Sequence, residues 1–212
     1  MSARSRRVVA EELLTMTALL LSYIWVWQGS FPGDFLVCVG LYFGLGALSH
    51  LRRGETAAEI GLRVDNLGRS LWDAAKLVGP LLLIPLLLGA ARRSLQYPGL
   101  TGSLSAFVQG WAWGTAQQYG LVCFYYRGLV ELLRDERQAA LGAALLFTLF
   151  HLPNPFLMLV TFLGGILSCW LYRRGPNLAV LGAMHAVLSF VMLHSLGREF
   201  TFRMRVGPGF WT

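Results

Sequence analysis

Apolar residues fall along the chain in seven successive runs of roughly 15 to 22 residues, at about 13–27, 35–50, 71–91, 104–126, 139–152, 156–172 and 178–196. A helix needs about 20 such residues to cross a bilayer, so the pattern predicts an all-α, polytopic membrane bundle of about seven transmembrane helices. The third run contains Pro80 and Pro85, which remove backbone donors and predict a kink or a break there. The fourth run is the most polar, carrying Gln109, Thr115, Gln117 and Gln118. Between the second and third runs, residues 51–70 mix Arg and Glu with Ile and Leu, a composition that predicts a segment lying on the membrane surface.

Composition agrees with the pattern. Of 212 residues 55% are hydrophobic and only 14% charged, and the mean hydropathy of +0.54 excludes an ordinary soluble or disordered chain. There is no internal repeat, so the expected organisation is one membrane-embedded helical domain over 1–212, with N-terminal helices and the surface segment in 1–100, a core in 101–196 and a tail in 197–212. The three cysteines, Cys38, Cys123 and Cys169, lie inside apolar runs without a CxxC pair and read as packing residues.

The net charge is +7, and every basic residue except Lys76 is an arginine placed in a short loop or tail. That distribution points to anionic lipid headgroups as partners and argues against nucleic acid. No small-residue cleavage site follows the first run, so it reads as a retained helix. With seven spans, thirteen of the eighteen basic residues share the side of the N-terminus, which the positive-inside rule assigns to the cytoplasm. The expected location is the cytoplasmic (inner) membrane, N-terminus inside and C-terminus outside.

Polar groups within hydrocarbon are costly unless satisfied, so those that persist are the first functional candidates. Here they are Gln117, Gln118, His151, Asn154, His185 and Ser189. Ser189 follows His185 by four residues, so both project from one helix face, and Phe147 stands one turn before His151 in the same way. Pro153 ends the helix after His151, which lets Asn154 turn its amide back into the bundle. The plainer reading of each is interhelical hydrogen bonding, worth roughly 1 kcal/mol per bond. His50 and His194, near span ends, read as solvated or interfacial, the Gly164-Gly165 pair as a site of close helix packing, and the tryptophans as interface anchors.

With these residues in hand, about 104–196 resembles the CAAX prenyl protease and bacteriocin-processing family, also called CPBP or Abi. The segment FTLFH from Phe147 to His151, continuing as LPN, is similar to the family's FxxxH signature. NLAVLGAMHAVLS, from Asn177 to Ser189, resembles HxxxN or HxxxD with Ser189 in the last place. The family's Glu-Glu signature is absent. Alignment through Tyr126-Arg127-Gly128 puts Val122 and Cys123 in the glutamate positions, and alignment through the doublet puts Gln117 and Gln118 there.

The resemblance implies an intramembrane endopeptidase with His151, His185, Gln117 and Gln118 as catalytic residues and Asn154, Ser189, Phe147 and Arg127 as substrate contacts. Its substrate would be a membrane-embedded or lipidated peptide, and no cofactor is implied. Two histidines can begin a metal site, but zinc takes three or four protein ligands. All eleven acidic residues fall in loops or at span ends, Glu55 in the surface segment and Glu131 just beyond Arg127. Without the glutamates, an imidazole is the group left to act as base. Two other readings stand beside it: a membrane protein that uses the same cavity to bind or transform an isoprenoid or other lipid, and a partner-binding membrane scaffold.

Overall fold

The structure, a computed structural model, describes residues 6–212; residues 1–5, and with them Arg4 of the basic arm, lie outside the described residues. Eight α-helices account for most of the chain. They are α1 (Arg6–Ser22), α2 (Asp34–Arg53), α3 (Leu67–Ala91), α4 (Gly99–Gln118), α5 (Arg127–Leu133), α6 (Glu136–Leu149), α7 (Pro155–Arg174) and α8 (Leu178–Phe200). Two π-helical segments, Tyr23–Trp27 and Tyr119–Tyr126, continue α1 and join α4 to α5, and no strand is present among the described residues.

Each of the seven apolar runs lies on a helix, and the molecule is an all-helical, polytopic membrane bundle. Among the described residues five helices are long and apolar enough to cross a membrane: α1 with its π extension, α2, α3, α7 and α8. The fourth run is diluted by its glutamines, and α6, at 14 residues, is about 21 Å long against a hydrocarbon core of ~30 Å. Pro80 and Pro85 do not break the third run, because α3 continues through both. Neighbouring groups in membrane bundles take over the hydrogen bonding that a proline gives up.

The described residues form two compact units. The first comprises residues up to 56, 120–166 and 205–212, and the second 57–119 and 167–204. In the first, α1 packs on α2 and α5, and α5 on α6. Small residues also let α7 approach α6: a Cβ on Gly165 would stand 3.0 Å from Ala144 Cα, whereas one on Gly164 would meet nothing within 4 Å. The close packing expected of the glycine pair thus belongs to Gly165.

In the second unit α8 packs against α3 and α4. A Cβ on Gly114 would come within 2.9 Å of His185 Cβ, and one on Gly182 within 3.0 Å of Thr115 Cα, so the two helices meet almost backbone to backbone. All three cysteines are buried, and none forms a disulfide.

Candidate active site

A buried cluster of charged side chains in the first unit begins where α2 stops. Gly54, at φ +66°, takes the left-handed conformation, and its N–H donates to the Leu51 carbonyl while Glu55 N–H donates to that of His50. This double closure folds the residue after the glycine back over the last helical turn. Glu55 therefore lands on His50, its Oε2 2.5 Å from His50 Nδ1. Arg127 adds a fork from α5, donating from Nε at 2.6 Å and from Nη2 at 2.5 Å to Glu55 Oε1. Arg53 Nε stands 3.4 Å from Oε2.

Only 7% of the Glu55 side chain is exposed, so its charge depends on these neighbours. Burial pushes the carboxyl upward, but the hydrogen bond from His50 and the charges of Arg53 and Arg127 outweigh it and hold Glu55 below its usual range. The network continues outward. Arg53 Nη2 donates to Ser49 Oγ at 3.0 Å, Ser49 donates to Glu12 Oε2 at 2.5 Å, and Arg52 Nη1 reaches Glu12 Oε1 at 3.1 Å.

Two sequence expectations are corrected here. Glu55 is not a surface carboxylate and His50 is not solvated: the pair is buried, because the Gly54 turn brings one onto the other. The signal was in the sequence, since a glycine closing a helix places the residue beyond it against the turn that holds His50.

The π-helix Tyr119–Tyr126 delivers Arg127 to this cluster. An extra residue per turn widens such a helix and re-aims the side chains beyond it. Its side chains from Leu121 to Tyr126 are buried, with Val122 and Cys123 wholly so. Tyr125 Oη lies 3.2 Å from Thr17 Oγ1, tying the segment to α1.

His151 sits just past the end of α6, half-buried. Its Nδ1 is 2.6 Å from the Phe147 carbonyl oxygen, and its ring meets the Phe147 ring edge-on at 4.8 Å. A carbonyl only accepts, so Nδ1 carries the hydrogen, and in the neutral ring Nε2 keeps its lone pair. The turn after His151 is held from two sides: Asn154 caps α7, its Oδ1 accepting from Leu157 N–H at 3.0 Å, while its Nδ2 donates to the Arg205 carbonyl at 3.1 Å. Gly207 N–H donates to the Leu152 carbonyl at 2.7 Å, so the C-terminal tail straps this same turn.

The other candidates belong to the second unit. His185 and Ser189 are half-buried on α8, and His185 lies over Gly114 of α4. Gln117 and Gln118 come within about one turn after Gly114, and their Oε1 atoms are buried with no hydrogen-bond partner among the described residues. Phe147, His151, Asn154 and Arg127 are thus brought into the first unit, and Gln117, Gln118, His185 and Ser189 into the second. Among the described residues no three His, Cys, Asp or Glu side chains gather as metal ligands would.

Residues 119–191 match the family model described as Type II CAAX prenyl endopeptidase Rce1-like. The match covers about a third of the chain, and over that segment the chain is similar to the Rce1-like family. No curated protein and no solved structure matches the chain. The Rce1-like segment contains Arg127, His151, His185 and Ser189 and begins one residue after Gln118. The CAAX protease likeness is thus confined to this segment, and a buried carboxylate, Glu55, reaches Arg127 from outside it.

Proposed function

We propose that the chain is a membrane-embedded hydrolase of the CAAX-protease type that cleaves a membrane-embedded or lipidated peptide, with His151 as the base that activates water. The observation that carries this is the Nδ1–H bond from His151 to the Phe147 carbonyl, 2.6 Å long, which fixes the imidazole and directs basicity to Nε2. Glu55 is the wrong group for that task. A carboxylate held ionised by His50, Arg53 and Arg127 has little tendency to take a proton from water. Glu55 instead aligns Arg127 and secures the junction of the π-helix with α5.

In the proposed reaction, Nε2 accepts a proton from water as the oxygen attacks the scissile carbonyl. The resulting imidazolium returns that proton to the departing amine, so the base ends the cycle neutral. His151→Ala, assayed on a lipidated C-terminal peptide in lipid nanodiscs, is expected to lose about 10²- to 10⁴-fold in rate at an unchanged unfolding midpoint. Cleavage at the wild-type rate by this variant ends the proposal.

A second reading rests on the unmatched Oε1 atoms of Gln117 and Gln118, two buried acceptors in the second unit. These suit a neutral lipid carrying a hydroxyl donor, such as an isoprenoid alcohol, bound without hydrolysis. A lipid that co-purifies one to one and disappears in Gln118→Leu supports this reading; peptide cleavage by lipid-free protein opposes it.

A further inference from the structure

We infer that the second unit carries a binding pocket for the phosphate of an anionic phospholipid headgroup, built where α3 and α8 begin and α7 ends. The pocket is a cavity of about 230 Å³ whose lining includes Arg63, Asn66, Arg69, Asp73, Arg174 and Asn177. Its level in the membrane is set by the helices. Candidate spans start at Leu67 and Leu178 and finish at Arg174, so three chain crossings reach the water boundary at this one place.

The frame of the pocket is cross-braced. Asn177, 1% exposed, donates from Nδ2 to Asn66 Oδ1 at 2.8 Å and to the Arg63 carbonyl at 3.0 Å, while its Oδ1 caps α8 at Val180 N–H, 3.1 Å away. Asn66 Nδ2 donates in turn to the Pro176 carbonyl at 3.1 Å, and Leu178 N–H to that of Gly61 at 2.9 Å. Because the Asn66 side chain is committed to the α7–α8 turn, it makes no capping bond to α3. The positive end of α3, whose residues Arg69 and Ser70 line the cavity, therefore adds to the arginine charges.

The charge balance favours an anion. Arg63 is neutralised by Asp65, and Asp73 is the acidic member of the lining, against the exposed Arg69 and Arg174. The rim identifies the source of the phosphate as a lipid. Arg174 lies over the exposed Trp170 ring at 4.7 Å, and Lys76 over the exposed Trp72 ring at 4.8 Å. Paired cations and indoles of this kind belong at headgroup level, where the ring faces acyl chains and the charge faces phosphate.

The test uses the full chain in neutral detergent, titrated with phosphatidylglycerol, phosphatidylcholine or inorganic phosphate and read by the unfolding midpoint. Phosphatidylglycerol is expected to bind and stabilise the protein at least tenfold more tightly than phosphatidylcholine. R69Q/R174Q should weaken it about thirtyfold, each single variant about fivefold, and R69K/R174K should largely restore it. The same charge change at the opposite end of α3, R92Q/R93Q, should leave binding within twofold of wild type. The inference is overturned if R69Q/R174Q or both single variants bind like wild type, or if R92Q/R93Q loses as much. It is equally overturned if inorganic phosphate reproduces the stabilisation, since the ligand would then be a soluble phosphate compound.

Discussion

Arg127 and Glu55 are 72 positions apart, yet two N–H groups of one close on a single carboxylate oxygen of the other at 2.5 and 2.6 Å. The arginine belongs to the Rce1-like segment and the carboxylate does not. One helical turn before the arginine, where one alignment with the family signature calls for glutamates, this chain buries Val122 and Cys123. A negative charge nevertheless reaches Arg127, carried in by the turn at Gly54.

Removing that charge leaves Arg53, Arg127 and His50 together without their shared anion. Breaking a buried ion pair from one side costs about 3–5 kcal/mol, because the partner's charge stays behind. Glu55→Ala is therefore expected to lower stability by about 3 kcal/mol in denaturant melts of detergent-solubilised protein. A double-mutant cycle with Arg127→Ala should give a coupling of about 1–3 kcal/mol. Additive losses would show that the pair is a passive contact.

Glu55 also predicts an acid limb to the stability curve. Its carboxyl titrates below the ordinary value of 4.5 in the folded protein, so the folded state binds fewer protons than the unfolded one in that range. The contribution is complete above the unfolded value and is lost as pH falls through the lower folded value. Unfolding midpoints of wild type and Glu55→Gln should thus differ most near neutrality and draw together as pH falls below the unfolded value of 4.5. A gap that never narrows across the acid limb would assign the acid sensitivity to other carboxylates.

The helical bundle was legible because bilayer length leaves a strong imprint: each apolar run became a helix. The motif histidines were legible for a different reason, since FTLFH and its four-residue spacing are local. Glu55 was hidden by neither composition nor distance alone. Its surface-like neighbours, Arg52, Arg53 and Thr56, mask a fold-back that only the Gly54 conformation reveals, and its partner lies on another helix. Pro153 predicts that Asn154 turns inward, and its side chain is buried, but the amide caps α7 and holds the tail at Arg205. A pattern along one chain does not show a bond to a carbonyl 51 residues away.

Gln118 offers a prediction of the opposite sign. Its side chain is 3% exposed and its Oε1 has no partner among the described residues, so the amide bears a desolvation cost of about 1–3 kcal/mol with no bond in return. Gln118→Leu keeps similar volume and removes the polar group. Purified without bound lipid, this variant is expected to unfold at or above the wild-type midpoint, and a clear loss of stability would reveal a bond to water or ligand at that oxygen.

The adjacent glycines of α7 separate packing from propensity within one helix. A methyl at Gly165 meets Ala144 Cα and Cβ at 3.0 Å, and since one of these is backbone, a rotamer change cannot relieve the crowding. Gly165→Ala should cost about 1–3 kcal/mol. A methyl at Gly164 enters open space, and alanine favours helix over glycine by up to about 1 kcal/mol, so Gly164→Ala should be neutral or stabilising. Gly114→Ala extends the test to the second unit, where the added methyl would press on His185 Cβ and Cδ2 at 2.9 Å and on the Gly182 carbonyl at 3.0 Å. It should destabilise like Gly165→Ala and also displace the imidazole, which a shift of the His185 ring resonances would report. Equal melting midpoints for Gly164→Ala and Gly165→Ala would mean that α6 and α7 do not approach as closely as the Ala144 contact requires.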